Sequence, residues 1–227
     1  MKIEKATELK NVATCALIYA KPGMGKTTAI ALEKGKKLII DIDRSSDVLR
    51  SKENQESIKG LKEEIDNVDI VRVKSIKELD EIRKELPSTD YDIIGVDNLS
   101  ELQDVILTGL AGEGHNPAVQ HYLLMQSYIA NFVREMRDTG ISVILTAWET
   151  SVDRTNLDGS KYTQSYPQMN EKLADKVCGI CNQVAHYEIV IKDKEETRGF
   201  RLSGNQSVYA KDQVHGRKGC KIGELIL

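Results

Sequence analysis

The segment Ala20–Thr27 constrains the fold more than any other part of the chain. It reads AKPGMGKT, with glycines at positions 23 and 25 and a lysine and a threonine at its end. The apolar run Cys15–Ala20 leads into it, and a stretch with helical character follows it. A glycine-rich turn between a strand and a helix directs successive backbone N–H groups toward phosphate oxygens. The segment therefore predicts a phosphate-binding loop in an α/β fold.

The loop residues have expected roles in binding a nucleoside triphosphate. Lys26 is predicted to contact the β- and γ-phosphates, and Thr27 to give a hydroxyl to Mg²⁺. The predicted nucleotide-binding residues are Lys21, Pro22, Gly23, Met24, Gly25, Lys26, Thr27 and Thr28. Ala20 replaces the usual first glycine, which a small residue tolerates. A mere glycine-rich turn with an exposed lysine is the alternative. The chain has no Asn-Lys-x-Asp sequence for guanine recognition, so ATP is favoured over GTP.

Apolar runs alternate with amphipathic stretches, which is typical of βα units around a parallel sheet. Five runs are predicted as buried strands covered by helices on both faces: Cys15–Ala20, Lys37–Asp43, Val68–Val73, Tyr91–Asp97 and Ile141–Trp148. Helical spacing predicts helices between Ser75 and Pro87, from Val119 to Gly140, and over Asn170–Asn182. Strands of a late antiparallel hairpin are predicted at Gln183–Lys192 and Gly199–Ser203. Three stretches lack periodicity and are predicted as loops: Ser51–Gly60, Ala111–Asn116 and Thr150–Gln168.

These elements predict one α/β domain over residues 1–227, with a mostly parallel twisted sheet flanked by helices. Its core is expected at about residues 12–192, and a basic, β-rich extension at about 193–227.

Acidic residues follow two of the predicted strands. Asp97 ends the fourth strand and is predicted to hold Mg²⁺ with Thr27; the alternative is an aspartate that only caps the next helix. Asp43 ends the second strand at the same edge of a parallel sheet, so it is preferred for orienting or deprotonating the attacking water. Glu101, one turn into the next helix, is the weaker candidate. Because strand residues alternate between faces, Asp41 shares a face with Asp43, and one of them could simply cap the edge.

Two further positions bear on hydrolysis. Asn98 follows Asp97, where many ring ATPases carry the glutamate that activates water, so the base must lie elsewhere or hydrolysis is slow. Thr146, with Glu149 near it, stands at the end of the fifth strand, where a polar sensor usually contacts the γ-phosphate. An ordinary strand-end hydroxyl is the alternative.

Four segments occur in the order of a RecA-like ATPase core: Tyr19–Thr28, Ile39–Asp43, Tyr91–Asp97 and Val143–Glu149. The chain resembles phage-encoded nucleotide-binding proteins of the AAA/RecA-like kind, some of which act in recombination as single-strand-annealing ATPases. The resemblance covers about residues 10 to 220. It implies a RecA-like P-loop fold, ATP and Mg²⁺ as cofactors, and self-association into a ring or filament with shared nucleotide sites. It also places the family's catalytic carboxylate, often a glutamate, at Asp43.

The resemblance further implies where DNA and a neighbouring subunit are contacted. DNA-binding loops map to about residues 108–120 and 150–168. The second loop carries cations among aromatics, which suits a single strand with stacked bases, although an ordinary polar loop is the alternative. Its candidate DNA contacts are Arg154, Lys161, Tyr162 and Tyr166. Lys211 and Arg217 are the candidates for a catalytic finger acting on the neighbour's nucleotide, against the alternative of solvated surface cations. A phage or host single-strand-binding protein is a further expected partner.

Charge and hydropathy exclude several classes of protein. With 32 Lys+Arg and 35 Asp+Glu, the net charge of −3 argues against a generic polybasic nucleic-acid coat. Residues 192–221 nevertheless hold eight Lys/Arg and four Asp/Glu, which makes a local basic stretch. No apolar stretch is long enough to span a bilayer, and the polar residues 1–10 do not resemble a signal peptide. A cytoplasmic protein without membrane contact is therefore expected.

Cys178 and Cys181 have the spacing of half a zinc site, with His215 and Cys220 as imaginable partners. Buried free cysteines on an amphipathic helix are the alternative.

Four functions remain open at this point. The first is an ATPase acting on single-stranded DNA in phage recombination or replication, in annealing or strand handling. The second is an AAA-type loader or motor for a protein partner, which the short, β-rich tail disfavours. The third is a small-molecule kinase, which the lack of an arginine-rich lid between the fourth and fifth strands disfavours. The fourth is a nucleotide-gated binding module with negligible turnover.

Overall fold

The computed structural model describes residues 13–112, 114–192 and 195–226. These residues form the strands β1 (Cys15–Ala20), β2 (Lys37–Asp41), β3 (Val68–Arg72), β4 (Ile93–Asp97), β5 (Ser142–Thr155), β6 (Lys161–Pro167), β7 (Gln183–Lys192), β8 (Glu195–Arg201), β9 (Lys211–Asp212) and β10 (Gly219–Lys221). They also form the helices α1 (Lys26–Ala31), α2 (Lys52–Ser57), α3 (Leu61–Glu64), α4 (Ile76–Glu85), α5 (Leu99–Ala111), α6 (Val119–Asp138) and α7 (Glu171–Ile180).

All ten strands belong to one sheet. Its order is β10-β8-β7-β1-β5-β4-β2-β3, with β6 paired to β5 and β9 paired to β7. The strands from β7 to β3 in this order run parallel, whereas β8 and β10 extend the sheet in antiparallel fashion. The predicted parallel sheet with a late antiparallel extension is confirmed. The predicted boundary at residue 193 falls outside the described residues, and strands from both sides of it share the sheet.

Helices cover both faces of the central parallel strands. On one face, Ile30 of α1 and Leu61 of α3 pack with Leu225 near the chain end. On the other face, α4, α5, α6 and α7 contribute the larger cluster, which includes Leu102 and Phe132. Gly95 allows α1 to approach β4, since a Cβ at that position would lie 2.9 Å from Cγ2 of Ile30. The sheet and α1 are thereby held close together directly behind the phosphate loop.

Several predicted elements differ in their bounds or type. β2 ends at Asp41 rather than Asp43, and the chain then turns at Arg44, whose φ of 63° is rare for a residue with a side chain. β3 is an edge strand with exposed residues, so helices do not cover both of its faces. The predicted loop 51–60 contains α2, because the hydroxyl of Ser51 accepts from the backbone N–H of Asn54 and caps the helix. β8 begins at Glu195, four residues before the prediction.

The predicted loop Thr150–Gln168 is largely an antiparallel β-ribbon. β5 continues beyond its parallel neighbours to Thr155, and β6 returns beside it with Arg154 opposite Tyr162. The alternation of the sequence is hidden because polar residues lie on both faces of the outer ribbon. The prediction of a structureless loop is wrong for this segment.

None of the helices within the described ranges is both long enough and apolar enough to cross a bilayer. The polar residues 1–10, which bear on the signal-peptide prediction, lie outside those ranges.

Candidate nucleotide-binding site

The loop between β1 and α1 has the geometry predicted for a phosphate-binding turn. Gly23 and Gly25 have φ angles of 78° and 99°, in the left-handed region that favours glycine. Lys26 is 7% exposed and donates from Nζ to the carbonyl oxygens of Ala20 at 3.0 Å and Lys21 at 3.1 Å. Burial lowers the pKa of Lys26, and nearby carboxylates oppose this shift. The ammonium group thus lies across its own loop, where phosphate oxygens can replace the carbonyls as acceptors.

A cavity of about 310 Å³ opens beside this loop. It is lined by Pro22, Gly23, Gly25, Lys26, Thr27, Thr28, Asp43, Ser45, Val48, Asp97, Asn98 and Trp148. Six of the eight predicted nucleotide-binding residues are among these lining residues. Of the other two, Lys21 supplies a carbonyl to Lys26, and the side chain of Met24 packs against the core.

Asp97 is the centre of the polar network at the cavity floor. The hydroxyls of Thr27 and Ser45 donate to its Oδ2 at 2.6 Å and 2.8 Å, and the hydroxyl of Thr146 donates to its Oδ1. The carboxyl group is 1% exposed, and burial raises its pKa, while the three hydroxyl donors act in the opposite direction. Two strands, α1 and the segment that follows β2 therefore converge on a single buried carboxyl.

This donor set fits Mg²⁺. The ion prefers oxygen ligands and is usually bound by one or two carboxylates together with phosphates and water. The hydrogen bond between Thr27 and Asp97 places a hydroxyl and a carboxyl oxygen 2.6 Å apart at the edge of the phosphate loop. The structure thus brings together the two residues that the sequence assigned to the metal.

Asp43 is held at the cavity wall by its neighbours. Its Oδ1 accepts from the backbone N–H of Ser45 at 2.9 Å, and its Oδ2 accepts from the side-chain amide of Asn98. Glu101 instead lines a separate groove beside α4, and its backbone N–H donates to Asn98 at 2.9 Å. The geometry therefore places Asp43 at the cavity beside the phosphate loop and Glu101 at a different groove.

Asp41 and Asp43 have separate roles although they stand two residues apart. Asp41 is buried, accepts from the hydroxyl of Ser46, and lies 3.6 Å from Nε of Arg72. Asp41 is the residue that stabilises the edge, which leaves Asp43 for the cavity.

Thr146 occupies a different place from the one predicted. It is fully buried, lies outside the lining of the cavity, and donates to Asp97. The expected direct contact with the γ-phosphate is wrong for this arrangement, because the side chain reaches the site only through Asp97.

Besides Val48, which lines the cavity, four residues at the site have roles that the sequence does not predict. Ser45 and Asn98 position Asp97 and Asp43, Trp148 lines the cavity, and Arg198 of β8 approaches Gly25. Ser45 and Asn98 each lie within two residues of a predicted acid, which is a usable signal. Arg198 carries no local signal, since only the pairing of β8 with β7 brings it to the loop.

The ribbon separates the four predicted DNA contacts. Tyr166 is 4% exposed, donates from its hydroxyl to Asp175 at 2.8 Å, and packs edge-on against Tyr209. Its predicted stacking on a base is wrong, because its ring is already buried. Arg154 lies over the Tyr166 ring at 5.0 Å and 3.9 Å from Asp175, so it is partly engaged. The exposed Lys161 and the half-buried Tyr162 remain candidates.

The two candidates for a catalytic finger differ as well. All three guanidinium nitrogens of Arg217 donate within the chain: to Asp212 at 2.8 Å, and to the carbonyls of Glu224 at 2.8 Å and Leu225 at 2.9 Å. Arg217 therefore stabilises the segment that contains Glu224 and Leu225, and the prediction that it is a free finger is wrong. Lys211 donates to Gln213 at 2.9 Å near the start of β7, and its role stays a prediction.

Within the described ranges, no group of three or more His, Cys, Asp or Glu side chains is arranged to hold a metal. Cys178 and Cys181 are buried free thiols, and the sulfur atoms of Cys181 and Cys15 lie 3.6 Å apart. Burial raises the pKa of Cys178 to about 12, which disfavours the thiolate that zinc requires. The zinc interpretation is thus replaced by its alternative of buried cysteines.

Comparisons with known proteins agree with this architecture. A family model described as an AAA domain matches residues 13–214. A solved structure of a KaiC-like protein from the hyperthermophilic archaeon Pyrococcus horikoshii is similar, with a TM-score of 0.53 and 15% identity over 91% of this chain and 82% of that chain. No curated protein sequence matches the chain. Because the family model spans most of its length, the chain belongs to the AAA domain family and has a RecA-like P-loop ATPase fold.

Proposed function

We propose that this protein binds ATP with Mg²⁺, hydrolyses it, and acts on single-stranded DNA in phage recombination or replication. The observation that carries the ATPase part is the convergence of Thr27, Ser45 and Thr146 on the buried Asp97, beside the phosphate loop. Polar groups fixed in this way stabilise charge without reorganising during the reaction.

Each residue of the site has a defined task in this proposal. Backbone N–H groups of the loop and the ammonium of Lys26 bind the β- and γ-phosphates. Thr27 and Asp97 hold Mg²⁺, which when bound neutralises charge on the phosphate oxygens. Asp43, kept in place by Asn98, orients the attacking water and accepts its proton. An aspartate in place of the more common glutamate has a shorter reach, which is consistent with slow hydrolysis.

The DNA part of the proposal is supported by two residues of the ribbon. Lys161 is exposed and Tyr162 half-buried on the ribbon, so a cation and an aromatic ring are available to a flexible strand. The net charge of −3 gives little general attraction to phosphate. We therefore infer that affinity for DNA depends on ATP-driven self-association into a ring or filament. A single-strand-binding protein is the expected partner, and the cytoplasm the expected location.

A second candidate function is a loader or motor that acts on a protein partner. The first turns of α6 expose apolar side chains, among them Leu123 with 61% of its surface accessible and Leu124 with 55%. Adjacent exposed apolar side chains are typical of surfaces that contact other proteins. Such a surface serves equally well for a second copy of this chain.

The ATP hydrolysis rate with and without single-stranded DNA, together with the particle size in both states, tests the proposal. We expect hydrolysis to rise with DNA and the particle to grow with ATP and DNA. Lys26→Ala is the control, because it removes the phosphate contact and should abolish the response. An ATP hydrolysis rate that is the same with and without DNA, combined with the absence of salt-sensitive DNA binding, would exclude the DNA function and favour the loader.

A further inference from the structure

We infer that Arg198 binds the non-transferred phosphates of the nucleotide, from the side of the loop opposite Asp97. This inference rests on the proposed ATP site and adds a binding residue to it. Arg198 lies on β8, and no role is predicted for it from the sequence.

Arg198 is close to the loop in the folded chain. A Cβ built on Gly25 would lie 3.8 Å from Nη1 of Arg198 and 3.5 Å from the hydroxyl oxygen of Tyr187. Tyr187 is buried and packs edge-on against Phe200 at 5.4 Å between ring centres, which fixes it behind the loop. The guanidinium group is therefore located at the last glycine before Lys26.

The strand order assigns this side of the loop to the α- and β-phosphates. β5, β4 and β2 lie on one side of β1, and β4 and β2 lead to Asp97 and Asp43. These acids mark the position of Mg²⁺ and of the γ-phosphate. β7 and β8 lie on the other side of β1. A triphosphate that follows the loop must extend away from the acids, toward β7 and β8.

The present partner of Arg198 can be exchanged for phosphate. Its Nε donates to Glu196 at 2.7 Å, and the two side chains are 45% and 49% exposed. An exposed ion pair contributes little, whereas a hydrogen bond from a guanidinium to a phosphate is strong and often bidentate.

The other arginines of the described C-terminal part, 195–226, are already engaged. Arg201 makes two contacts to Glu188, and Arg217 fastens the chain end. In this region Arg198 is thus the arginine that borders the phosphate loop.

Calorimetric titration of ATP and of ADP, each with Mg²⁺, into wild type and Arg198→Ala tests the inference. We expect about a tenfold to hundredfold loss of affinity for both nucleotides, because both carry the α- and β-phosphates. The hydrolysis rate at saturating ATP should change less than about threefold, since uniform binding alters KM rather than kcat. Arg198→Lys should bind with intermediate affinity, because it keeps the charge and loses the planar fork.

Arg134→Ala is the matched control, because it removes an exposed arginine on α6, which packs on the face of the sheet opposite α1. Thermal unfolding of each variant verifies folding, and Arg198→Lys replaces Arg198→Ala if the latter unfolds. Unchanged affinity in Arg198→Ala would overturn the inference, as would a loss confined to ATP or a loss confined to kcat. If wild type itself binds neither nucleotide, the proposed ATP site fails. If wild type and Arg198→Ala bind the nucleotides equally well, only the inference about Arg198 fails.

Discussion

The two sides of the phosphate loop are built differently. On the side of β4 and β2, Asp97 is 1% exposed and receives three hydroxyl donors, so the polar groups are fixed before any ligand binds. On the side of β7 and β8, Arg198 forms an exposed ion pair with Glu196. A buried network is costly to disturb, whereas an exposed pair exchanges partners readily. The fixed network around Asp97 suits catalysis, and the exchangeable pair of Arg198 suits nucleotide binding. Substitutions on the two sides should therefore affect kcat and affinity separately.

The largest effect is expected at the centre of the loop. Lys26→Ala should abolish measurable hydrolysis and weaken ATP binding by at least about a hundredfold, because a buried cation in contact with two phosphates is lost. Binding is measured by calorimetry and hydrolysis by phosphate release. Lys36→Ala is the control, since Lys36 pairs with Asp90 at the surface. Wild-type activity in Lys26→Ala would refute the site.

Asp43→Asn tests the chemistry of the acid side. It should lower kcat by about 10²- to 10⁴-fold, the range found for a positioned general base, with little change in affinity for ATP. Glu101→Gln provides the comparison and should retain most of the activity, because Glu101 lines a different groove. If Glu101→Gln loses activity and Asp43→Asn keeps it, the assignment of the two carboxylates is reversed.

A smaller effect is expected on the ribbon. Tyr162→Ala should weaken single-stranded DNA binding by about 5- to 100-fold through the loss of one stacked base, without altering ATP affinity. Lys161→Ala should reduce the dependence of log affinity on log salt by about one. Fluorescence anisotropy of a labelled oligonucleotide measures both. Tyr162→Phe is the matched control, because it keeps the ring and should leave DNA affinity unchanged; a loss equal to that of Tyr162→Ala would contradict stacking by this ring.

The smallest effect concerns stability at the far end of α1. Glu33 is 1% exposed and accepts from the backbone N–H groups of Leu225 at 3.1 Å and Ile226 at 3.0 Å. Burial raises its pKa from 4.5 to about 6, against the effect of these hydrogen bonds. The native state therefore favours the protonated form, and this contribution to stability is present below pH 4.5 and is lost as the pH rises through about 6.

Urea unfolding of wild type and Glu33→Gln between pH 4.5 and pH 7 tests this contribution. Relative to the variant, the free energy of unfolding of wild type should fall by about 1 to 2 kcal/mol across that range. A difference that stays constant with pH would show that Glu33 has an ordinary pKa.

A residue of the site is easier to predict when the residues it acts with are close to it in sequence. The phosphate loop is predicted residue by residue because its glycines, lysine and threonine are consecutive. Asp97 and Asp43 are predicted from a rule about parallel strands, which end at one edge of the sheet. Arg198 is more than 170 residues from Gly25 in sequence, and only the pairing of β8 with β7 joins them.

The wrong predictions for the ribbon, Tyr166 and Arg217 have a common physical origin. The sequence predicts a loop at the ribbon because the outer part is polar on both faces and lacks the apolar periodicity of a buried strand. The sequence predicts Tyr166 as a contact in a DNA-binding loop and Arg217 as a finger that reaches a neighbouring subunit, and both roles need an exposed side chain. Both are engaged by partners that the fold supplies, Asp175 of α7 for Tyr166 and the chain end for Arg217. Exposure depends on tertiary contacts, and sequence patterns report it poorly for residues with both polar and apolar parts.

The role of Asp97 as the centre of an ATP and Mg²⁺ site is tested most directly by its metal dependence. ATP is titrated calorimetrically into wild type and Asp97→Asn, each with Mg²⁺ and each with a chelator. Wild type should bind ATP more tightly with Mg²⁺, and Asp97→Asn should lose that gain while remaining folded. An equal gain in both proteins, or a wild type that does not bind ATP, would contradict the account.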